Sequence, residues 1–373
     1  MKEVRRQLSG RIKGRKSDHL DICLEENVQA RRVTTGFEEI YLVHRALPEI
    51  DRSKIDLTTS VFNHKFSAPI LVEAMTGGVD KATRINSAIA AAVEKLGIGM
   101  GVGSQRAAIE YPRLERTFSV ARKMAPNAFI LANMGGAQLV KEYGVKEAKK
   151  AVRMLQADAL AIHLNPLQEA VQPEGDTGYS GLLKKIEDMV HALDVPVIVK
   201  ETGAGISAED AEKLENAGVK GIDIAGIGGT SWAAVEYHRA KKNRKEFHEL
   251  LGEAFWDWGI PTAASLIETT QRVHIPVIAS GGIRSGIDMA KALALGASLT
   301  GVAYPILGHA VHGAEAVEKK LQFFIEGLRN AMFLVGADSV QKLKNVSVIV
   351  TGKMLDWLTM RGFDLQTYAR RSL

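Results

Sequence analysis

The chain has 373 residues, 46% of them hydrophobic and 24% charged, with a formal net charge of +5. That size and composition fit a globular protein of one large unit or two ordinary ones, and the single cysteine, Cys23, excludes a disulfide framework and a cysteine metal cluster and fits a reducing setting. No apolar run reaches the ~18 residues of a membrane span, and the charged N-terminus lacks the apolar stretch of a signal peptide, so a soluble, cytoplasmic protein without a membrane partner is expected.

In chain order, positive charge comes first, in KEVRRQLSGRIKGRK (2–16), which reads either as a solvated tail or as an anion-binding arm. No aromatic RNA-binding motif or recognition-helix pattern accompanies it, so no nucleic-acid partner is expected. From residue 69 short apolar runs alternate with helical patterns. The runs are PILVEAMTGG (69–78), GIGMGVGSQR (97–106), AFILANMGG (128–136), ALAIHLNP (159–166), VPVIVKETG (195–203), GIDIAGIGG (221–229), IPVIASGGI (275–283) and SLTGVAYP (298–305). Most lack polar alternation and are rich in Val, Ile, Leu and Ala, as parallel strands buried on both faces are. Between them SAEDAEKLENAG (207–218) and SGIDMAKALALGA (285–297) each begin on a Ser cap and close near a Gly, as helices do.

Eight such alternations predict an α/β fold, a (β/α)8 TIM barrel, over a doubly wound sheet of about five to seven strands. The expected organisation is a single barrel domain spanning 1–373, with an N-terminal arm over about 1–66, the barrel over about 67–310 and C-terminal helices over about 311–373. The aromatic and basic insertion SWAAVEYHRAKKNRKEFHELLGEAFWDWG (231–259) reads as a pair of cover helices, an interface element or a lid. The apolar-rich GKMLDWLTMRGF (352–363) is expected to be helical.

In a barrel the active site lies at the C-terminal ends of the strands. Those ends read Met75-Thr76-Gly77-Gly78, Ser104-Gln105-Arg106, Asn133, His163-Leu164-Asn165, Lys200-Glu201-Thr202, Gly228-Gly229-Thr230, Ser280-Gly281-Gly282 and Ala303-Tyr304. SGGIRSG (280–286) joins two glycines to Ser285 at a helix start, a pattern that suits phosphate and falls where TIM barrels commonly bind it. GIGGT (226–230) offers a second backbone cradle. Lys200 closes an apolar strand, where an unpaired ammonium is costly, so it should meet an anion, an electron-rich ring or a rim carboxylate such as Glu201. Phosphate, strand-end lysine and ANMGG together suggest a flavin mononucleotide (FMN) site.

Beyond these local readings, RKSDHL (15–20), AMTGG (74–78), GSQR (103–106), ANMG (132–135), HLNPLQE (163–169), KETG (200–203), GGTSW (228–232) and SGGIRSG (280–286) occur in barrel order. With them the chain resembles the type 2, FMN-dependent isopentenyl-diphosphate isomerases nearly from end to end. The resemblance implies that Ala74, Met75, Thr76, Ser104, Asn133, Lys200 and Thr230 contact FMN, with Gly282, Ile283, Arg284, Ala303 and Tyr304 at its phosphate. It implies that Arg15, Lys16, Ser104, Gln105, Arg106, His163, Asn165 and Gln168 bind the diphosphate substrate, with Gln168 and His163 the side chains nearest the chemistry. It further implies that Glu169 ligates Mg2+, that NADPH or NADH serves only to reduce the flavin, and that the protein is a homo-oligomer, a tetramer or octamer. Two positions depart from the pattern: Ala225 stands where a serine is expected, and Glu73 where a smaller residue is.

The residues carry part of this alone. Mg2+ is commonly held by one or two carboxylates together with substrate phosphates, so a lone Glu169 suffices only for a phosphorylated ligand. Arg15 and Arg106 can fork onto phosphate oxygens and Lys16 adds a point charge. Taken alone, Glu169 also fits an ordinary acidic first turn of a helix, and His163 a structural hydrogen bond within the rim. A 2-hydroxy-acid oxidase on the same barrel is the alternative; it needs a His beside an Arg on a late loop, and the loop of Arg284 has no His. A covalent dehydrogenase would need a cysteine in GIGGTSW, and there is none.

Overall fold

The computed structural model describes residues 2–372, with side chains from Gly14 onward. Each of the eight apolar runs contributes one strand: β1 Ile70–Val72, β2 Gly99–Gly101, β3 Ile130–Gly135, β4 Ala159–His163, β5 Val197–Lys200, β6 Gly221–Asp223, β7 Val277–Ala279 and β8 Leu299–Val302. They pair in parallel in chain order, and β8 pairs with β1 to close the barrel. Except for His163 at the end of β4, every strand residue is buried, which accounts for runs without polar alternation.

The arm before the barrel is tied into the structure by a hairpin and by a strand. A hairpin, Thr59–Val61 with His64–Phe66, turns through Phe62 and Asn63 at φ of 54° and 60°, the left-handed conformation that its tight turn requires. It sets Phe66 and Phe62 against Phe129, with ring centroids 5.4 and 5.9 Å apart, over the inward-facing Leu71, Leu131, Ala161, Ile198, Ile278 and Leu299. These side chains fill the N-terminal end of the barrel, so the site opens at the other end. Strand Ile40–Leu42 pairs antiparallel with Val348–Val350, giving the tail a β-branched strand in addition to the expected helices. Helix Gly352–Met360 follows it and docks on the barrel helix Thr262–Thr270, where Trp357 Nε1 donates to the fully buried Glu268 at 2.8 Å.

The basic stretch belongs to helix α1, Lys2–Glu25, with Leu20 and Ile22 buried. The 231–259 insertion forms two helices packed on each other, α2 Trp232–Lys242 and α3 Glu246–Ala254, and α1 lies against α2. No described helix is long and apolar enough to cross a membrane.

Candidate functional site

Of the expected site residues, all but Gln105 line one cavity at the C-terminal end of the barrel. Gln105 is fully buried and turned into the wall. Its Nε2 donates to the Ala151 carbonyl at 2.9 Å, and its Oε1 accepts the Asn133 N–H at 2.9 Å, so it braces the rim and does not face the cavity. Residue type and position in GSQR do not reveal which way a side chain points after a strand ends.

At one end of the cavity two glycine loops meet backbone to backbone. Gly281 and Gly282 adopt φ of 95° and 76°, and a Cβ on Gly281 would lie 2.1 Å from the Gly226 oxygen. Only glycine permits both the left-handed turn and that approach. Ser285 caps the helix Gly286–Ala294, accepting the Asp288 N–H, while the Asp288 carboxylate takes the N–H groups of Arg284 and Ser285, both at 3.0 Å. Both amides are therefore committed to the Asp288 carboxylate, that of Ser285 within a capping box. The Arg284 guanidinium remains at the cavity wall, fixed by Gln29 Oε1 at 2.7 Å and lying 5.5 Å from the Tyr304 ring centre.

On the floor, the Lys200 ammonium lies 3.1 Å from Asp223 Oδ2 and 3.6 Å from Glu73 Oε2, and donates to the Glu201 carbonyl at 2.7 Å. The carboxylate of Glu201 turns instead to the backbone, where its Oε2 accepts the N–H groups of Thr202, Gly203 and Ala204. Burial alone would drive the proton off Lys200, but Asp223 and Glu73 hold its pKa above the ordinary value, so it remains a cation. Ala225, in the wall beside it, takes a left-handed φ of 38°, a conformation disfavoured for any residue with a Cβ.

The HLNPLQE segment forms the opposite wall. His163 Nδ1–H donates to Asn133 Oδ1 at 2.7 Å, while burial and the nearby Lys200, Lys16 and Arg15 press its pKa down to about 3, leaving a neutral ring. Asn165 Nδ2 donates to both Gln168 Oε1 and Glu169 Oε1 at 3.0 Å. The other Glu169 oxygen accepts from Gln172 Nε2 and the Asp176 N–H, at 2.5 and 2.7 Å. Gln168 Nε2 donates to Glu236 Oε1 at 2.9 Å, and the same oxygen accepts from His19 Nε2 at 2.8 Å. Arg239 Nε reaches the other Glu236 oxygen at 2.6 Å. Burial raises the Glu236 carboxyl, but His19 and Arg239 with Gln168 bring it down to about 2, so it is ionised. Glu236 and His19 carry no role in the sequence reading, because the partners of Glu236 lie on α1 and on the fourth-strand loop. The available signal was an acidic residue embedded in AAVEY.

The C-terminal half of α1 brings cations to this wall within the same chain. Lys16 Nζ donates to the Ser104 carbonyl at 2.6 Å, and the left-handed Gly78 leaves room for the lysine stem. Burial, with Arg15 and Arg106 beside it, lowers the Lys16 pKa to about 7. Arg106 Nε is held by Glu110 at 2.8 Å. Cys23 also reaches the cavity, but burial and Glu236 push its thiol up to about 12, which rules it out as a thiolate nucleophile at neutral pH. Among the described residues no group of three or more His, Cys, Asp or Glu side chains is arranged to hold a metal alone. Glu169 therefore suits a cation only when a ligand supplies further oxygens.

A family model for FMN-dependent dehydrogenases matches residues 9–110 and 144–350. A protein of Methanothermobacter thermautotrophicus named isopentenyl-diphosphate delta-isomerase is 52% identical over 361 residues, covering 97% of this chain and all of that one. A protein of the same name from Pyrococcus furiosus is 49% identical over 365 residues, 96% of this chain and 91% of that one. In structure, a lactate oxidase of Pediococcus acidilactici aligns with a TM-score of 0.64 at 18% identity over 93% of this chain and 94% of its own, a likeness of fold. The glycine cradle, the strand-end lysine and the full-length likeness agree: the chain belongs to the FMN-dependent dehydrogenase family, and within it to the proteins named isopentenyl-diphosphate delta-isomerase.

Proposed function

We propose that the protein converts isopentenyl diphosphate to dimethylallyl diphosphate, with FMN and Mg2+ bound, using NADPH or NADH only to reduce the flavin. The observation that carries this reading is the character of the cavity wall, where the cations Arg15, Lys16, Arg106 and Arg284 suit anionic ligands and the strand-end imidazole and amide are tied up in structural hydrogen bonds. His163 is buried and neutral with a pKa pressed to about 3, and Gln168 is pinned as an amide between Glu236 and Asn165. A 2-hydroxy-acid oxidase needs a protonatable base at the substrate, and this His is a weak one. Reduced FMN supplies a proton donor and acceptor of its own at N5.

The residues then divide the remaining work. Gly282, Ile283 and Arg284, with Ala303 and Tyr304, suit the cofactor phosphate, and Lys200 suits the electron-rich edge of the ring. Ala74, Met75, Thr76, Ser104, Asn133 and Thr230 fit its flanks. Arg15, Lys16 and Arg106 fit the substrate diphosphate, and Glu169 would hold a Mg2+ ion, which would add positive charge for the same phosphate oxygens. Anchored in this way, the C5 unit is oriented without covalent help from the chain.

Incubating the purified protein with FMN, Mg2+ and isopentenyl diphosphate under reducing conditions should give dimethylallyl diphosphate over many turnovers per flavin reduced. Consumption of one NAD(P)H per product would point to an oxidoreductase, and no product with the flavin fully reduced would sink the reading.

A pH profile follows from Lys16. In the free protein its ammonium is present below about pH 7 and lost above it. Since kcat/KM reports free-enzyme ionisations, it should fall as pH rises through that value, whereas Lys16→Arg should keep its charge and lose that inflection. Both proteins would be assayed on the same substrate, so an inflection shared by both belongs to the diphosphate and refutes the role of Lys16.

A further inference from the structure

Glu73, one of the two departures from the family pattern, follows β1 directly and points its carboxyl into the barrel below the cavity. Space for it is provided by Gly301 on β8, where a Cβ would stand 2.4 Å from Glu73 Oε1. Two buried carboxyls, Glu73 and Asp223, thus face the single ammonium of Lys200, with Glu73 only 5% exposed and Asp223 fully enclosed. Neither oxygen of Glu73 has a hydrogen-bond donor in good geometry among the described residues, whereas Asp223 has the Lys200 ammonium 3.1 Å from Oδ2 and accepts from Ser280 at Oδ1.

Acceptors left in this state cost free energy unless a donor is found, and two like charges in one enclosed site repel. One proton, shared between the two carboxyls, removes the repulsion and lessens the first penalty. It belongs on Glu73, because Asp223 already has the closer approach to Lys200 and the hydroxyl of Ser280. We propose that Glu73 carries a proton shared with Asp223 and acts as a positioning residue, keeping the floor beneath the flavin electrically neutral so that the Lys200 ammonium faces the ring without a second negative charge beside it. This rests on the FMN reading above.

Burial first, and the Asp223 charge second, raise the Glu73 pKa to about 8 against the opposing pull of Lys200. The ionisable groups acting on it are Lys200 from β5 and Asp223 from β6, whereas Ser280 after β7 and Gly301 on β8 carry none. Below that pH Lys200, Asp223 and Glu73 together make one ammonium, one carboxylate and one neutral acid. Above it a net negative charge develops, which opposes a reduced, anionic flavin. Glu201, which burial raises to about 7, turns its carboxyl to the backbone and changes alike in wild type and variant.

The test titrates reduced FMN into wild type and Glu73→Gln, which keeps a neutral side chain of the same size, at pH 6 and pH 9.5. The same proteins without flavin are compared by infrared difference spectroscopy at pH 6. The two should bind FMN within about twofold of each other at pH 6, and wild type should bind about tenfold more weakly than the variant at pH 9.5. The infrared difference should contain the carbonyl band of a neutral carboxylic acid, present only in wild type. Equal affinities at both pH values, an equal gap at both, or the lack of that band would each overturn the proposal. If neither protein binds FMN the cofactor reading fails, and the infrared band still decides the proton on Glu73.

Discussion

Lys200→Met should cost about 3–5 kcal/mol of folding stability and strip the protein of FMN, the largest expected effect of a single change at the site. Methionine nearly fills the space of the lysine stem, so the loss is of charge and not of volume. What remains is a fully enclosed Asp223 carboxylate that keeps the Ser280 hydroxyl and the proton proposed on Glu73 but has lost its cation. Removing one partner of a buried pair is costly because the survivor stays buried and uncompensated. The measurements are the urea midpoint at pH 7 and the FMN retained through gel filtration. Lys200→Met combined with Asp223→Asn separates the two roles. Neutralising the stranded aspartate should restore part of the stability and none of the flavin retention, since no cation then faces the ring. A single variant with an unchanged midpoint and a full complement of FMN would refute both roles for Lys200.

The barrel was legible because its strands are buried on both sides, and a strand such as Ile70–Val72 or Val197–Lys200 advertises that in unbroken apolar residues. The rim was legible for the same reason, since polarity switches on where the strand stops, as at His163 and Lys200. Side-chain direction past the strand end was not, and Gln105 shows why: two neighbours in GSQR, Ser104 and Arg106, line the cavity while Gln105 turns into the wall. Partnerships across long sequence separations were equally hidden. Glu236 looks like an interior helix residue until α1 lays His19 against it and the fourth-strand loop adds Gln168. The floor pair escaped for a related reason. Glu73 and Asp223 each sit at the end of an apolar strand, and only closure of the barrel brings both to the same lysine.

Glu169→Gln is expected to lower kcat/KM by about 30–100-fold, the loss of one charge-assisted contact of about 2–3 kcal/mol, while leaving FMN bound. The carboxylate already accepts from Asn165 at one oxygen and from Gln172 and the Asp176 N–H at the other. With room for about four donors in all, a carboxylate so held keeps its remaining capacity for one further electropositive partner. The three donors also fix its orientation, which a metal ligand needs. Glutamine loses the charge and sets an NH2 group against at least one of those donors, so it can neither keep its orientation nor bind a hard cation well. The Mg2+ concentration for half-maximal activity should therefore rise by about tenfold or more, whereas Glu169→Asp, which retains the charge on a shorter stem, should fall between the two. A Glu169→Gln protein with wild-type Mg2+ dependence would remove Glu169 from the metal. One that lost its flavin would move it to the cofactor side of the cavity, against its place on the wall shared with Gln168 and the cations of α1.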